Sequence, residues 1–273
     1  MEKKVNHKRV KRGFVSTFKR EPNIKNPQNL SDKLFGRKLG YQDPFITKIT
    51  DKVYAKEYIK GKTFVEPIPT IFSGQPEFFT NRKYPFIAKP NNASGRTRFV
   101  RNDSEWEEFA KSYKQWEDEP YSLDKGEWNY WGIDQQALIE PVLKDTIELK
   151  MFVIHNRVEL IEYMRPRVMS SYNANNSEMP EKSGVSFFDR GIKKLPVKNA
   201  KYPVGDDAIP ERVNVEFIMD AAEKLSEGLD FIRIDFIWTP ELVYFGEFSY
   251  FVGGGLLKWK GEIDLDKHLG KLL

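Results

Sequence analysis

Acidic and basic side chains stand two positions apart near the C-terminal end of the chain. The stretch "FIRIDFIWTPELVYFGEFSYF" predicts a hairpin that turns at residues 239–241. Period-two alternation places Arg233 and Asp235 on one face of the first strand. It places Glu247 and Ser249 on one face of the second strand, with Arg233 roughly opposite Glu247 and Asp235 on the diagonal, about 7–8 Å away.

These side chains have the chemistry of a magnesium site. Mg²⁺ takes oxygen ligands and commonly uses one or two carboxylates together with substrate phosphates, so Asp235 and Glu247 could reach one or two Mg²⁺ ions. The alternative is a cross-strand ion pair between Arg233 and Glu247 on a solvated sheet face. The apolar residues on the other face would fold the hairpin without a metal.

A single lysine leaves an apolar strand in "YPFIAKPNNASGRTRFV" and is followed by small polar residues. Lys89 offers a point charge, and the loop containing Asn92, Ser94 and Gly95 offers backbone N–H groups, a combination that suits a polyphosphate. A glycine-containing hairpin with a lysine that reaches to solvent is the alternative interpretation.

Other phosphate and metal patterns fit less well. "KGKT" at 60–63 resembles the end of a P-loop, but Lys56 stands where that pattern requires glycine. "VGGGL" after Glu247 lacks the strand-to-helix order of a dinucleotide fingerprint. Asp264 and Asp266 could form a glycosyltransferase metal motif, but we expect them to cap the last helix.

Hydrophobic periodicity predicts the elements that must position these residues. "ITDKVYAKEYIKG", with Thr50 as cap, "DSEWEEFAKSYKQW" and "VNVEFIMDAAEKLSEG" are predicted helices. "YPFIAK", "TRFVR" and "QALIEPVL" are predicted strands. "IELKMFVIHNRVELIEYM" predicts two strands about a turn, with Glu148 and Lys150 opposite an apolar face. Mixed strands and helices of this kind predict an α+β fold.

The composition excludes several classes of site and partner. The 273 residues contain no cysteine, which excludes disulfides, thiolate metal sites and a cysteine nucleophile. Residues 1–20 hold eight Lys/Arg and one acid, whereas the remainder holds 36 Lys/Arg and 39 Asp/Glu. We therefore predict a solvated basic tail over residues 1–27, a cytoplasmic protein and no nucleic-acid partner. Contact of the tail with an anionic membrane, such as the inner membrane surface, or with an anionic polymer is the alternative.

Six short motifs occur in the order found in a known superfamily. They are "TDKVYAKEYIK", "YPFIAKPNNASG", "LIEPVL", "ELKMFV", "AAEKLSEGLDFIRIDF" and "YFGEFSYFVGGG". The chain resembles the ATP-grasp enzymes, and specifically the TupA-like (teichuronopeptide-biosynthesis) group associated with cell-surface polysaccharide synthesis. The resemblance runs from about residue 29 to the C-terminus.

The resemblance implies an ATP-grasp fold in which two α+β subdomains enclose ATP. It implies a smaller lid subdomain over about 62–140 and a larger metal-binding subdomain with an antiparallel sheet over about 141–273, within one domain from residue 28. The positions that match the family's ATP site are Lys52 and Lys89 for the phosphates, Asn92, Ser94 and Gly95 for the lid, Glu140, Val142 and Leu143 for the adenine hinge, and Glu148 for the ribose, with Lys150 beside it. Asp235 and Glu247 match the Mg²⁺ ligands, and Arg233 stands where it could steady the transferred phosphoryl group. Ser249 replaces an asparagine ligand found in many members.

The resemblance also implies an activity. Its members transfer the γ-phosphoryl group of ATP to a carboxylate, and an amine then attacks the acyl phosphate. We therefore expect a carboxylate–amine ligase that uses ATP and Mg²⁺ and adds an amino acid or amine to an acidic saccharide or peptide. An ATP-grasp kinase, a glycosyltransferase and a polymer-binding protein are the alternatives. Arg165, Arg167 and Arg190 are candidates for holding the anionic acceptor, because guanidinium groups bind carboxylates bidentately.

Overall fold

The computed structural model describes residues 5–118, 121–164, 184–206 and 208–273. The helices are α1 (His7–Phe18), α2 (Leu30–Leu39), α3 (Pro44–Thr50), α4 (Lys52–Ile59), α5 (Asp103–Asp118), α6 (Val215–Leu225) and α7 (Leu265–Leu272). The strands are β1 (Glu66–Pro67), β2 (Phe72–Gly74), β3 (Phe86–Pro90), β4 (Arg98–Val100), β5 (Ala137–Pro141), β6 (Ile147–Ile154), β7 (Arg157–Met164), β8 (Val185–Phe188), β9 (Val197–Asn199), β10 (Phe231–Trp238), β11 (Val243–Ser249) and β12 (Trp259–Gly261). The predicted α+β class is confirmed.

The larger of the two main sheets has six strands in the order β1-β11-β10-β6-β7-β8. Side chains such as Met151 and Ile234 point to one face, where they pack with α6 in a single core cluster. Phe152 and Phe231 point to the other face, where they pack with α2 and α7. The remainder of that second face, towards β11, carries charged side chains.

A second sheet of four strands has the order β2-β5-β3-β4. Alternation along β3 turns Phe86 and Ala88 towards α5, with Trp106 and Phe109 completing the core, as the aromatic spacing predicts. Lys89 therefore projects from the face opposite α5. The sheet lies within the predicted smaller subdomain, but β1, which also falls in that range, pairs in parallel with β11 of the larger sheet instead.

Helix α4 begins one residue later than predicted and is capped differently. Asp51 accepts a hydrogen bond from Val53 N (2.9 Å) and is the N-cap, whereas the Thr50 hydroxyl donates to a carbonyl in α3. The buried face of α4 carries two lysines four residues apart, Lys52 and Lys56, together with Ala55 and Ile59. Through these two lysines, α4 contributes to the site described below.

The N-terminal region differs from the solvated tail that its charge predicts. Residues 7–18 form α1, whose Asn6 N-cap accepts from Arg9 N. Val10 and Phe14 lie four residues apart on one face of α1 and are buried at 4% and 0% exposure against Phe35. The basic residues occupy the opposite, exposed face, so the charge count is compatible with a helix packed on the body. Among the described residues, we find no helix with both the length and the apolar character that membrane crossing requires.

Candidate active site

The final hairpin brings the two predicted metal-binding carboxylates directly opposite each other. Asp235 lies across from Glu247, and Arg233 lies across from Ser249. The predicted register, with Arg233 opposite Glu247, is wrong by two residues on β11. The observed register brings Asp235 and Glu247 closer together for binding one metal ion, because directly opposed side chains approach more closely than diagonal ones.

Two local features cause the difference in register. The turn is one residue longer than predicted and is closed by a hydrogen bond from Thr239 N to Leu242 O (2.9 Å). A β-bulge between Asp235 and Phe236 leaves Gly246 unpaired on β11. A Cβ atom on Gly246 would lie 3.0 Å from Asp235 O, so the bulge favours glycine at this position.

Arg233 is held by the groups around it on the sheet face. Its Nε and Nη2 donate to the two oxygens of Asp235 at 2.7 Å each, a bidentate pair. Nη2 also donates to Ser249 Oγ at 3.0 Å and lies 3.9 Å from Glu247 Oε1. Burial opposes the charged form of Arg233, but Asp235 and the other acids outweigh it and raise its pKa above the ordinary value.

Lys150 continues the charged face onto β6. It pairs across the sheet with Asp235 on one side and Glu162 on the other. Its Nζ lies 3.4 Å from Asp235 Oδ2 and 3.6 Å from Glu148 Oε2. Glu162 is buried, which raises its pKa although Lys150 and Arg233 oppose the shift. We did not predict Glu162; its signal was its spacing, because it faces Lys150 once the two strands are paired.

Lys52 joins α4 to this carboxylate face. Its Nζ lies 3.2 Å from Glu247 Oε2 and donates to Ala93 O at 2.7 Å. Its backbone N–H donates to Asn91 O at 3.2 Å. Lys52 therefore contacts both the hairpin acids of the larger sheet and the small-residue loop that follows β3.

Lys89 contacts Glu140, which the family resemblance assigns to the adenine hinge. Its Nζ lies 2.6 Å from Glu140 Oε2, and Lys56 Nζ lies 2.5 Å from Glu140 Oε1. The Glu140 side chain is thus buried between two lysines, while Val142 and Leu143 lie half-buried just beyond β5. Lys56 was not predicted as a site residue, since its role depends on a contact with a strand about 80 residues away.

The loop after β3 is anchored at its start. Asn91 is fully buried; its Nδ2 donates to Asp51 Oδ1 at 2.8 Å, and its Oδ1 accepts from Gln136 N at 2.8 Å. The predicted lid residues follow: Asn92 Nδ2 donates to Ile133 O (3.5 Å), Ser94 hydrogen-bonds with Tyr121, and Gly95 has φ +74°. Asn91 therefore ties the base of this loop to the helix that carries Lys52.

The lysines, the arginine and the carboxylates that meet at this site are of the types that bind ATP and Mg²⁺. The charged groups that meet here are the cations Lys52, Lys56, Lys89, Lys150 and Arg233 and the carboxylates Glu140, Glu148, Glu162, Asp235 and Glu247. Among the described residues no group of three or more His, Cys, Asp or Glu could hold a metal ion. Two opposed carboxylates suffice for Mg²⁺ when phosphate oxygens supply further ligands. Ser249 Oγ, the third predicted ligand, accepts from Arg233 here.

Arg190, one of the three predicted acceptor arginines, is not brought to this site. Arg190 is paired with Glu223 of α6, with Glu159 and Asp220 also contributing to its environment. Because α6 packs on the apolar face of the larger sheet, Arg190 lies on the side away from Asp235. Arg165 and Arg167 lie outside the described residues.

Acid should remove the stabilisation that Glu247 provides. Burial would raise the pKa of Glu247, but Lys52, Arg233, Lys89 and Lys150 outweigh it and lower the pKa from 4.5 to about 2. A carboxylate with a depressed pKa in the folded state stabilises the fold above its unfolded pKa and loses that effect as the pH falls towards the folded value. We expect Glu247→Gln to lower the free energy of unfolding at pH 7 in metal-free protein, and this difference to shrink between about pH 4.5 and pH 2.

Urea denaturation at stepped pH measures that difference. Glu241→Gln, in the exposed turn of the same hairpin, is the matched control and should give a small difference throughout. A Glu247→Gln difference that stays constant down to the lowest pH would contradict the assignment of this pKa.

Comparison with known families gives a match over most of the chain. Residues 32–273 match the sequence profile described as TupA-like ATPgrasp. A search of curated proteins finds no match. The match excludes α1, which packs on the body nonetheless.

Solved structures with similar folds include several ligases. D-alanine–D-alanine ligase from Bacillus anthracis, complexed with ATP, is 14% identical with a TM-score of 0.45, over 74% of this chain and 55% of that one. L-amino acid ligase from Bacillus licheniformis is 13% identical with a TM-score of 0.45, over 81% and 46%. The ATP-grasp ligase PsnB, complexed with a phosphomimetic precursor variant, Mg and ADP, is 11% identical with a TM-score of 0.46, over 84% and 59%. The chain thus spans about half the length of these proteins.

Proposed function

We propose that this chain, which belongs to the TupA-like ATP-grasp family, is a carboxylate–amine ligase that uses ATP and Mg²⁺. ATP and Mg²⁺ are the cofactors typical of the ATP-grasp fold. One observation carries the proposal, which is that α4 contacts acidic residues of both sheets. Lys52 of α4 pairs with Glu247 of the larger sheet. Lys56 of α4 pairs with Glu140 of the smaller sheet, which also pairs with Lys89. The proposed phosphate-binding lysines, on α4 and the smaller sheet, would thereby face the same site as the proposed metal-binding acids of the larger sheet.

Each part of the nucleotide has candidate partners in this arrangement. The proposed contacts are Lys52 and Lys89 with the phosphates, Asn92, Ser94 and Gly95 with the phosphates from the loop, the backbone at Val142 and Leu143 with the adenine, and Glu148 and Lys150 with the ribose side. Glu140 is held by Lys56 and Lys89 here, so we propose the backbone beyond Pro141 for the hinge contact with adenine, with Glu140 beside it.

Asp235 and Glu247 would hold Mg²⁺, which when bound would neutralise phosphate charge, and Ser249 is a weaker third candidate. Each Asp235 oxygen accepts one hydrogen bond from Arg233, which leaves a lone pair on each oxygen that could bind Mg²⁺. The hydrogen bonds to Asp235 and Ser249 would hold the guanidinium beside the metal-binding acids.

The reaction needs positioning and charge neutralisation more than a nucleophilic side chain. An acceptor carboxylate oxygen attacks the γ-phosphorus, and ADP leaves with the bridging oxygen. The amine nitrogen then attacks the acyl carbon, the C–O bond to phosphate breaks, and inorganic phosphate leaves as the amine loses a proton. Arg233, Lys52 and Lys89 would stabilise the charge that develops on the transferred group. This account suits a chain without cysteine.

The substrate proposal rests on the resemblance to the TupA-like group. We propose an acidic saccharide or acidic peptide of a surface polymer as the carboxylate donor and an amino acid or similar amine as the second substrate. The five cations at the site are paired with carboxylates of the chain itself, so their number does not add to the substrate proposal.

Product analysis tests the reaction class. With an acidic sugar or peptide, an amine and Mg²⁺, we expect ADP, phosphate and amide in equal amounts, and little phosphate when the amine is omitted. AMP and pyrophosphate would contradict an acyl-phosphate route. A phosphorylated acceptor that persists in hydroxylamine would favour a kinase, because hydroxylamine consumes acyl phosphates.

A further inference from the structure

Lys56 is a buried lysine whose ammonium group is surrounded by oxygen atoms. Its Nζ donates to Ile68 O at 2.7 Å and to Thr70 Oγ1 at 2.9 Å, and it lies 2.5 Å from Glu140 Oε1. Two of the three ammonium protons are used in these hydrogen bonds, and the ion pair with Glu140 brings a third oxygen to the ammonium group. Lys56 therefore links α4, the segment between β1 and β2, and β5 through one atom.

Lys89 shares the same carboxylate but is held less completely. Its side chain is 14% exposed, compared with 6% for Lys56. It forms an ion pair with Glu140 Oε2 at 2.6 Å, on the face of the smaller sheet that points away from α5. Of the two lysines on Glu140, Lys89 is the one that can turn towards a ligand without giving up backbone contacts.

The pKa values of Glu140 and Lys56 reflect the contact between them. Burial would raise the pKa of Glu140, but Lys89 and Lys56 outweigh it and hold the pKa below the ordinary value. Burial lowers the pKa of Lys56, and Glu140 opposes that change. The two directions are compatible, because Glu140 has two cations beside it, whereas Lys56 shares its one anion with Lys89.

A buried carboxylate that loses its cation is strongly destabilising. If Lys89 left Glu140 to bind a phosphate and no second lysine were present, Glu140 would be buried without a counter-ion. We propose that Lys56 is a positioning residue, the permanent counter-ion of Glu140, which allows Lys89 to exchange Glu140 for the phosphates of ATP. This inference rests on the proposed function, since it takes Lys89 as a phosphate ligand.

The proposal predicts a defect that a second substitution repairs. In Lys56→Met, Glu140 has Lys89 alone as its nearest cation and retains it, so we expect the dissociation constant of Mg·ATP to rise at least about tenfold. In Lys56→Met/Glu140→Gln the carboxylate charge is gone and Lys89 is released, so we expect affinity to return to within about threefold of wild type. Lys60→Met, at the exposed C-cap position of α4, is the control and should bind like wild type.

Calorimetric titration of Mg·ATP into each full-length variant measures these constants, with thermal melting as a check on folding. Wild-type affinity in Lys56→Met would overturn the proposal, as would a double variant as weak as the single one, because that pattern means a purely structural lysine. If Lys56→Met does not fold, the double variant still decides: near-wild-type affinity supports the proposal and a tenfold loss overturns it. Wild-type protein that fails to bind Mg·ATP would instead overturn the proposed function itself.

Discussion

Asp235→Asn should lower the rate of ATP turnover by at least about 100-fold while the protein stays folded. The carboxylate lies opposite Glu247 and is bonded to Arg233 at 2.7 Å, so it is placed both to bind Mg²⁺ and to orient the guanidinium. Asparagine keeps the shape but removes the charge. Steady-state release of ADP, followed with a coupled assay at saturating Mg²⁺, gives the measurement.

A variant in the same hairpin separates catalysis from folding. Glu241→Gln removes a carboxylate from the exposed turn and should keep wild-type turnover. A large drop in the melting temperature of Asp235→Asn alongside the loss of activity would instead favour a structural ion pair between Asp235 and Arg233.

Phe14→Ala should lower the free energy of unfolding by about 3–5 kcal/mol, as expected for a fully buried aromatic side chain. The Phe14 ring centroid lies 4.7 Å from that of Phe18 and 5.2 Å from that of Phe35. The Arg20 guanidinium also lies 5.1 Å from the Phe14 ring. Truncation therefore leaves a cavity between α1 and α2.

Chemical denaturation of Phe14→Ala and of Ser16→Ala, an exposed position on the same helix, measures the difference. The control should change the free energy of unfolding by less than about 0.5 kcal/mol. An equally small change in Phe14→Ala would show that α1 does not pack on the body in solution.

Local patterns were enough to predict most of the elements and several site residues. Alternation in "IELKMFVI" put Glu148 and Lys150 on the face opposite the core, and the structure places them there. The strands predicted at "YPFIAK" and "TRFVR" are confirmed as β3 and β4, which pair antiparallel. Asp264 caps α7 as predicted, whereas Asp266, also expected to cap it, accepts hydrogen bonds from Ser31 of α2 instead. The family resemblance and the α+β class are also confirmed.

Features that depend on distant contacts or on one irregular residue were not predictable in this way. The bulge at Gly246 changes the register by one residue, and alternation carries no signal for it. The pairing of Lys56 with Glu140 requires knowing how α4 lies against β5. The high charge of residues 1–20 led to the prediction of a tail. The spacing of Val10 and Phe14 was the signal for a packed helix, because the charges on its exposed face do not determine what its other face contacts.

The central claim is that Lys52 and Lys89, carried by different elements, bind the phosphates of one nucleotide. Calorimetric titration of a non-hydrolysable ATP analogue with Mg²⁺ into wild type and into Lys52→Met/Lys89→Met tests it most directly. We predict saturable binding at one site per wild-type chain and at least about a 100-fold weaker constant in the double variant, which still melts cooperatively. Equal affinity in the two proteins would contradict the account.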